Sequence, residues 1–232
     1  SFSLHDTKNI NITNIKIKNN TKYDDAFHIV YCENILLDNI FIDKAFSDAL
    51  DIDMSKNIKI SNSLFYNPKN DAVDVMESSL IIDSSEMFKS GDKGVSIGEN
   101  SNVIIYNSYL NENKMGIAIK DRSNATIYYS DFIDNEIHIS SYQKNYQYGN
   151  GGYAKISRSS FKDNNIYLNS DSKSTIIIDD SSFDGNLNIK NDRIILTQNN
   201  SFEGNKNIFN LYDEFINEIK KKDLNKIKNI NL

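Results

Sequence analysis

The sequence predicts an all-β fold, a parallel solenoid wound from one chain, and three observations predict it. A short apolar segment recurs at nearly fixed intervals through most of the 232 residues. Within each segment apolar and polar residues alternate with period two, as half-buried strands do. No long helical pattern occurs before residue 208. A fixed period decides the fold before any single residue does, because each unit buries its apolar side only by stacking on the next.

The first strand of each unit reads "AFHI" (26–29), "ALDI" (49–52), "AVDV" (72–75), "GVSI" (94–97), "GIAI" (116–119), "EIHI" (136–139), "NIYL" (165–168) and "NLNI" (186–189). A second strand follows in each unit, as in "NIKI" (57–60), "SLII" (79–82) and "NVII" (102–105). Then comes a polar turn with one large apolar residue: Phe41, Phe65, Met87, Leu110, Phe132, Phe161, Phe183 and Phe202. Strands rich in Ile and Val, bounded by Asn, Asp, Ser and Gly, suit short coils with tight corners. Leucine-rich repeats share the period but need a Leu/Asn consensus that is absent. The expected fold is a right-handed parallel β-helix of about 22 residues per coil and roughly eight to nine coils.

Two segments depart from the repeat. A 29-residue spacing separates 136 from 165 and contains "SYQKNYQYGNGGY", whose Tyr146 and Tyr148 either stack on sugar rings or shield the neighbouring coil. In the tail, Ile208, Leu211, Phe215 and Ile219 fall at helical spacing, with acids early and lysines late. The expected division is therefore a β-helix over 1–207 and an amphipathic capping helix over 208–232.

Composition narrows the function. The net charge of −6 argues against a nucleic-acid groove, which needs a basic face. No apolar run reaches membrane-spanning length and no signal peptide is visible. The chain starts at Ser1 inside repeat-like sequence, so the expectation is an excised domain or mature fragment of a longer, secreted or surface protein. The lone Cys32 reads as a small core residue. There is no zinc signature, phosphate-binding glycine loop or serine-nucleophile motif.

The acids carry the functional signal. Just before the first strand stand Asp25, Asp48 and Asp71, then Lys93 and Met115. Inside it stand His28, Asp51, Asp74, Ser96 and Ala118, and a further column reads Asp53, Glu77, Glu99 and Asp121. Strands in one sheet lie about 4.8 Å apart. Two like charges at that distance repel by about 3–4 kcal/mol at an effective dielectric near 20. Proton sharing, an ammonium or a bound cation offsets this, and Lys93 and Lys120 lie close by. Aspartates capping backbone groups at turns are the structural alternative.

"SDALDID", "NDAVDV", "SGDKGVSIGENSNV" and "MGIAIKDRSNATI", on consecutive coils, resemble the β-helix repeats associated with bacterial CotH-type kinase proteins, within the pectate-lyase-like superfamily. No CotH-type kinase motif is visible in the chain, so the resemblance implies no kinase activity. A looser likeness runs to polygalacturonases. There Asp48 and Asp71 match two of the family's acids, Asn70 replaces a third, Lys93 stands in place of a histidine, Ala118 replaces an arginine, and Lys120 matches a lysine. Glycoside hydrolysis needs two carboxylates flanking the bond, and these replacements remove the pattern. What the likeness implies is a groove for an acidic or polyhydroxylated glycan.

Two functions are expected from this reading. One is a lyase or epimerase acting on a uronate-type polysaccharide. Asp51, Asp53, Asp74 and Glu99 would hold a cation, calcium by the hardness of their oxygens. Lys93, Lys120, Asp48 and Asp71 would form the catalytic set, and His28, Ser96, Asp121, Arg122, Tyr146 and Tyr148 would face the substrate. No organic cofactor is implied. The other is a non-catalytic binding or structural module of a surface or secreted protein, whose acids hold calcium for stability.

Overall fold

The computed structural model describes residues 1–22, 24–191 and 193–203. They form a parallel β-solenoid of nine coils with three sheet faces. The capping helix expected over 208–232 lies outside the described residues.

On the first face, Phe2–His5, Phe27–Val30, Leu50–Asp53, Val73–Met76, Lys93–Gly98, Met115–Lys120 and Ile137–Tyr142 pair in order, each parallel to the next. The second face runs from Lys8–Thr13 to Ile194–Leu196, and the third from Lys16–Asn20 to Ser201–Glu203. The long strands Ser160–Ser170 and Ser182–Lys190 turn the corner between the third and first faces.

In-register stacking explains the core. Leu50, Val73, Val95, Ile117 and Ile139 stack inward on the first face, and Ile58, Leu80, Val103 and Ala125 on the second. All are essentially buried. On the third face Ile42, Phe65, Met87, Leu110, Phe132, Phe161 and Phe183 form one column. Ile42, not Phe41, begins it. Phe41 is one residue early, pairs with Leu64 on the outward side, and has the Lys16 ammonium 5.1 Å from its ring centre. The rings of Phe132, Phe161 and Phe183 stack 4.7 and 4.8 Å apart, one strand spacing.

The corners account for the abundance of Asn and Ser. Many corner residues have positive φ, among them Asn9, Asn34, Asn57, Asn14, Asn39 and Asn62. Asn adopts this left-handed region more readily than most residues. Serine ladders satisfy the corner backbone: Ser55, Ser63, Ser78 and Ser85 each donate their N–H to the Oγ of Ser78, Ser85, Ser101 and Ser108 on the following coil. Cys32 is buried as expected, and its N–H begins one ladder on Ser55.

From the seventh coil the observed register differs from the sequence alignment by two residues. Ile117 pairs with Ile139, not Ile137, which restores a regular 22-residue step. A slip of two keeps every side chain on its own face of the sheet, so alternation alone cannot detect it. His138 therefore does not share the His28 column, where Ser140 stands. It sits fully buried in the corner opposite Gly116, its Nε2 without a hydrogen-bond partner.

Two outcomes follow. Phe161→Ala removes the centre of the ring stack, and urea denaturation should show a loss of about 3–5 kcal/mol; a loss below about 1 kcal/mol would contradict the stacked, buried column. Burial depresses the His138 pKa from 6.5 to about 4. The unfolded chain then binds the proton more readily, so this contribution is complete above pH 6.5 and lost as pH falls toward 4. His138→Phe should remove that acid-side loss in thermal melts.

Candidate functional site

The outward side of the first face gathers most of the sequence-predicted residues. Its central column runs His28, Asp51, Asp74, Ser96, Ala118 and Ser140. The next outward column runs Val30, Asp53, Met76, Gly98, Lys120 and Tyr142. Asp53 thus pairs with Met76 within the sheet and does not share the column of Glu77, Glu99 and Asp121. Those three lie in the following turn, with φ of 47°, 48° and 49°. The offset arises because the left-handed turn residue after Asp53 is Met54, which the sequence reading passed over.

The column preceding the strand has a structural duty. Asp25 Oδ1 accepts the Asp48 N–H, Asp48 Oδ1 accepts the Asp71 N–H at 2.7 Å, and Asp71 Oδ1 accepts the Lys93 N–H at 2.8 Å. Asn70 also donates to Asp48. Each aspartate caps the backbone of the next coil. The ladder ends at Lys93, whose Nζ lies 3.4 Å from Asp71 and contacts Asp92. Burial works against the Lys93 charge, but Asp71 and Asp92 outweigh it and hold its pKa above the ordinary lysine value. Lys93 is therefore an ammonium at neutral pH.

Lys120 has different surroundings. It is 4% exposed, and its Nζ donates to Ser96 Oγ at 2.8 Å. Among the described residues no carboxylate lies within ion-pairing distance of it. Gly98 makes this placement possible. A Cβ there would approach the Lys120 Cε to 3.2 Å and Nζ to 3.4 Å, so the glycine lets the lysine stem lie across the neighbouring strand. Tyr142 follows Lys120 in the same column, and the charges of Lys93, Asp92, Asp71 and Asp121 all act on its hydroxyl. Burial is the largest influence and raises its pKa. The two-residue slip hid Tyr142 from the sequence reading; counting a regular 22-residue step back from Tyr142 reaches Lys120 and exposes the pair.

The insertion between Tyr142 and Tyr153 borders this surface. Asp121 is fully buried, and its Oδ1 accepts the N–H groups of Lys144 and Asn145, both at 2.7 Å. Arg122 is exposed, and its backbone N–H binds the carbonyls of Asn150 and Gly151. Tyr148 donates its hydroxyl to Glu77 Oε1 at 3.0 Å, reaching back three coils, while Tyr146 is 88% exposed. Asp121 and Tyr148 thus hold the loop along the turn edge of the first face, and Tyr146 is exposed to solvent.

At the other end, His28 Nε2 lies 3.5 Å from Asp51 Oδ2 and 3.2 Å from Asp53 Oδ2. These three are the one group of metal-type donors that converges among the described residues. Asp74 and Glu99, expected in the same set, are not among the converging donors: Asp74 pairs with Asp51 from the following coil but its Oδ1 accepts the Val75 N–H, and Glu99 occupies the turn. Burial, with repulsion from Asp53, Asp74, Asp25 and Asp48, pushes Asp51 up to about 8. Burial likewise pushes Asp48 up to about 7 against the pull of the Asp71 N–H. Asp53, Asp71 and Glu99 are raised by burial too, each opposed by a cationic or hydrogen-bonding neighbour.

A carboxyl whose folded pKa exceeds its unfolded value supports the fold while protonated and loses that support as pH rises. Between pH 6.5 and 8 His138 no longer contributes a slope, so the cation-free protein should melt at progressively lower temperature there. Asp51→Asn should flatten this decline. A melting temperature that is constant or rising across that window in the parent protein would contradict the burdened acid ladder.

A search of curated proteins found no match to the chain. Solved structures share its fold at low identity. An alginate lyase from Paenibacillus sp. str. FPU-7 is 16% identical with a TM-score of 0.69, over 82% of this chain and 74% of that one. The Azotobacter vinelandii mannuronan C-5 epimerase AlgE6 A-module is 12% identical with a TM-score of 0.61, over 86% and 59%. Pectate lyase Pel9A is 10% identical with a TM-score of 0.54, over 76% and 56%. The chain spans less than two thirds of the last two structures. The family described as "Right handed beta helix region" matches residues 1–151 and 48–208, and the chain belongs to it.

Proposed function

We propose that the first face binds an acidic polysaccharide and acts on its uronate residues as a lyase or epimerase. The observation that carries this reading is the pairing of Lys120 with Tyr142 in one outward column beside Ser96, between an acidic end and a tyrosine-bearing loop. The neighbouring folds named for alginate lyase, mannuronan epimerase and pectate lyase support a substrate of this class. The likeness to CotH-associated repeats extends the proposal: the chain would then be one module of a longer surface protein.

Lyase and epimerase share a first step, removal of the proton at C5 beside the sugar carboxylate. Lys120 is the better base of the two lysines. Among the described residues its Nζ contacts only a neutral serine hydroxyl, whereas Lys93 is clamped by two carboxylates and stays charged. With the raised pKa that burial gives it, the Tyr142 phenol stays protonated and would serve as the proton donor. In the lyase, Lys120 as the neutral amine would take the C5 proton and become an ammonium, the C4–O4 bond would break as the C4–C5 double bond forms, and Tyr142 would protonate the departing O4. In the epimerase the C4–O4 bond survives and C5 is reprotonated from the opposite side. A divalent cation at the acidic end would neutralise sugar carboxylates there.

One observation favours the non-catalytic alternative. Asp48 and Asp71 are engaged in capping backbone N–H groups, so part of the acid ladder is explained without substrate. The two readings separate on substitution. Lys120→Met should keep the fold, measured by circular dichroism, and abolish release of unsaturated uronide or C5 proton exchange on alginate, pectate and glycosaminoglycans. Lys93→Met should instead lower the melting temperature. No turnover by the parent chain across that panel, with binding retained, would leave the binding module as the function.

A further inference from the structure

We infer that His28, Asp51 and Asp53 form a site for a divalent transition-metal ion of the manganese-to-zinc class, in preference to calcium. The fold builds it from two coils. Asp51 and Asp53 alternate on one strand and so point to the same side. His28 pairs directly with Asp51 on the preceding coil, and its ring reaches both carboxylates. The three side chains are partly buried, at 31%, 19% and 20% exposure.

The spacing suits one ion. Two donors about 2.1 Å from a tetrahedral centre stand about 3.4 Å apart. His28 Nε2 lies 3.5 and 3.2 Å from the two carboxylate oxygens, and all three donor atoms fall within 4.8 Å of one another. Donor type then sets the preference. Calcium and magnesium take oxygen ligands, whereas an imidazole nitrogen favours the later first-row ions.

Charge gives an independent reason for a dication. The carboxylates of Asp53, Asp74, Asp25 and Asp48 all act on Asp51. Within the trio's own ion pairs, the only group that can be positive is His28. A protonated imidazole brings one charge against two carboxylates. A divalent ion brings two and leaves the imidazole neutral as a ligand. Lys93 cannot substitute, since it is held by Asp71 and Asp92. The neighbouring His5, whose ring packs edge-on at 5.7 Å from that of His28, adjoins the cluster. The inference gives the cation of the proposed groove an identity but does not depend on catalysis.

The test uses the untagged 232-residue chain, stripped with a chelator and titrated separately with Zn²⁺, Mn²⁺, Co²⁺, Ca²⁺ and Mg²⁺ by calorimetry, with Co²⁺ also followed by visible absorption. One Zn²⁺ or Co²⁺ per chain is expected, bound at least tenfold more tightly than Ca²⁺. His28→Ala and Asp53→Asn should each weaken Co²⁺ binding tenfold or more and change its spectrum, with circular dichroism unchanged. NMR should show the His28 ring shifted by Zn²⁺ and not by Ca²⁺. Failure of the transition ions to bind, Ca²⁺ binding as tight as Zn²⁺, or Co²⁺ binding that survives His28→Ala would each overturn the assignment. Polysaccharide turnover is not read here, so failure of the groove chemistry and failure of the ion site remain distinguishable.

Discussion

Everything in this molecule depends on coils stacking in register, one strand spacing apart. Parallel pairing places equivalent residues directly above one another, so each position along a coil becomes a column. A column of aliphatics is self-consistent and makes the core. A column of phenylalanines makes a ring stack, as from Phe132 to Phe183. A column of serines satisfies the corner backbone. The same rule applied to aspartate concentrates charge, and this is the one column type that stacking alone cannot stabilise.

The chain deals with that charge differently in adjacent columns. Asp25, Asp48 and Asp71 turn toward the backbone, accept an N–H each, and end at an ammonium on Lys93. Asp51 and Asp53 instead face outward against a single imidazole. Further along, Lys120 and Lys144 enter near Glu99 and Asp121. The outward side of the first face therefore passes from acidic in the early coils to mixed charge in the later ones. A uniform polyanion would be repelled at one end and held at the other unless a cation occupies the acidic end. The proposed ion site and the lysine-bearing stretch would then hold one polyanion in complementary ways.

Much of this was legible in the sequence because period two and period 22 are both written in the side chains. The core columns, the acid columns, the end of the ladder at Lys93 and the position of the insertion could be read directly. The misses have a common cause. A strand pattern is unchanged by a two-residue slip, so "EIHISSY" was set against "GIAIK" by its first isoleucine and not its second. That moved His138 into the wrong column and removed Tyr142 from the column of Lys120. Phe41 and Asp53 were misplaced by one position because a matching residue type stands beside the true equivalent, Ile42 and Met54, at a regular 23-residue step. The convergence of His28 on both Asp51 and Asp53 depends on side-chain reach, which spacing does not encode.

The insertion changes what kind of solenoid this is. Repeat proteins gain stability mainly from contacts between neighbouring units, so opening at one end can propagate coil by coil. The ladder bonds here cross 22 to 29 positions, whereas Tyr148 to Glu77 crosses 71. That bond ties the seventh coil to the fourth, over Glu99 and Asp121, and Asp121 holds the root of the same loop. The coils between them can separate only if the tie is broken as well. Lys120 and Tyr142 stand within this braced stretch, while the His28 cluster lies outside it, nearer the first coil. Chemistry that needs two groups held in fixed geometry suits the braced coils. An ion that supplies its own cross-link between coils suits the unbraced ones, where binding would join the second coil to the third as the loop joins the fourth to the seventh.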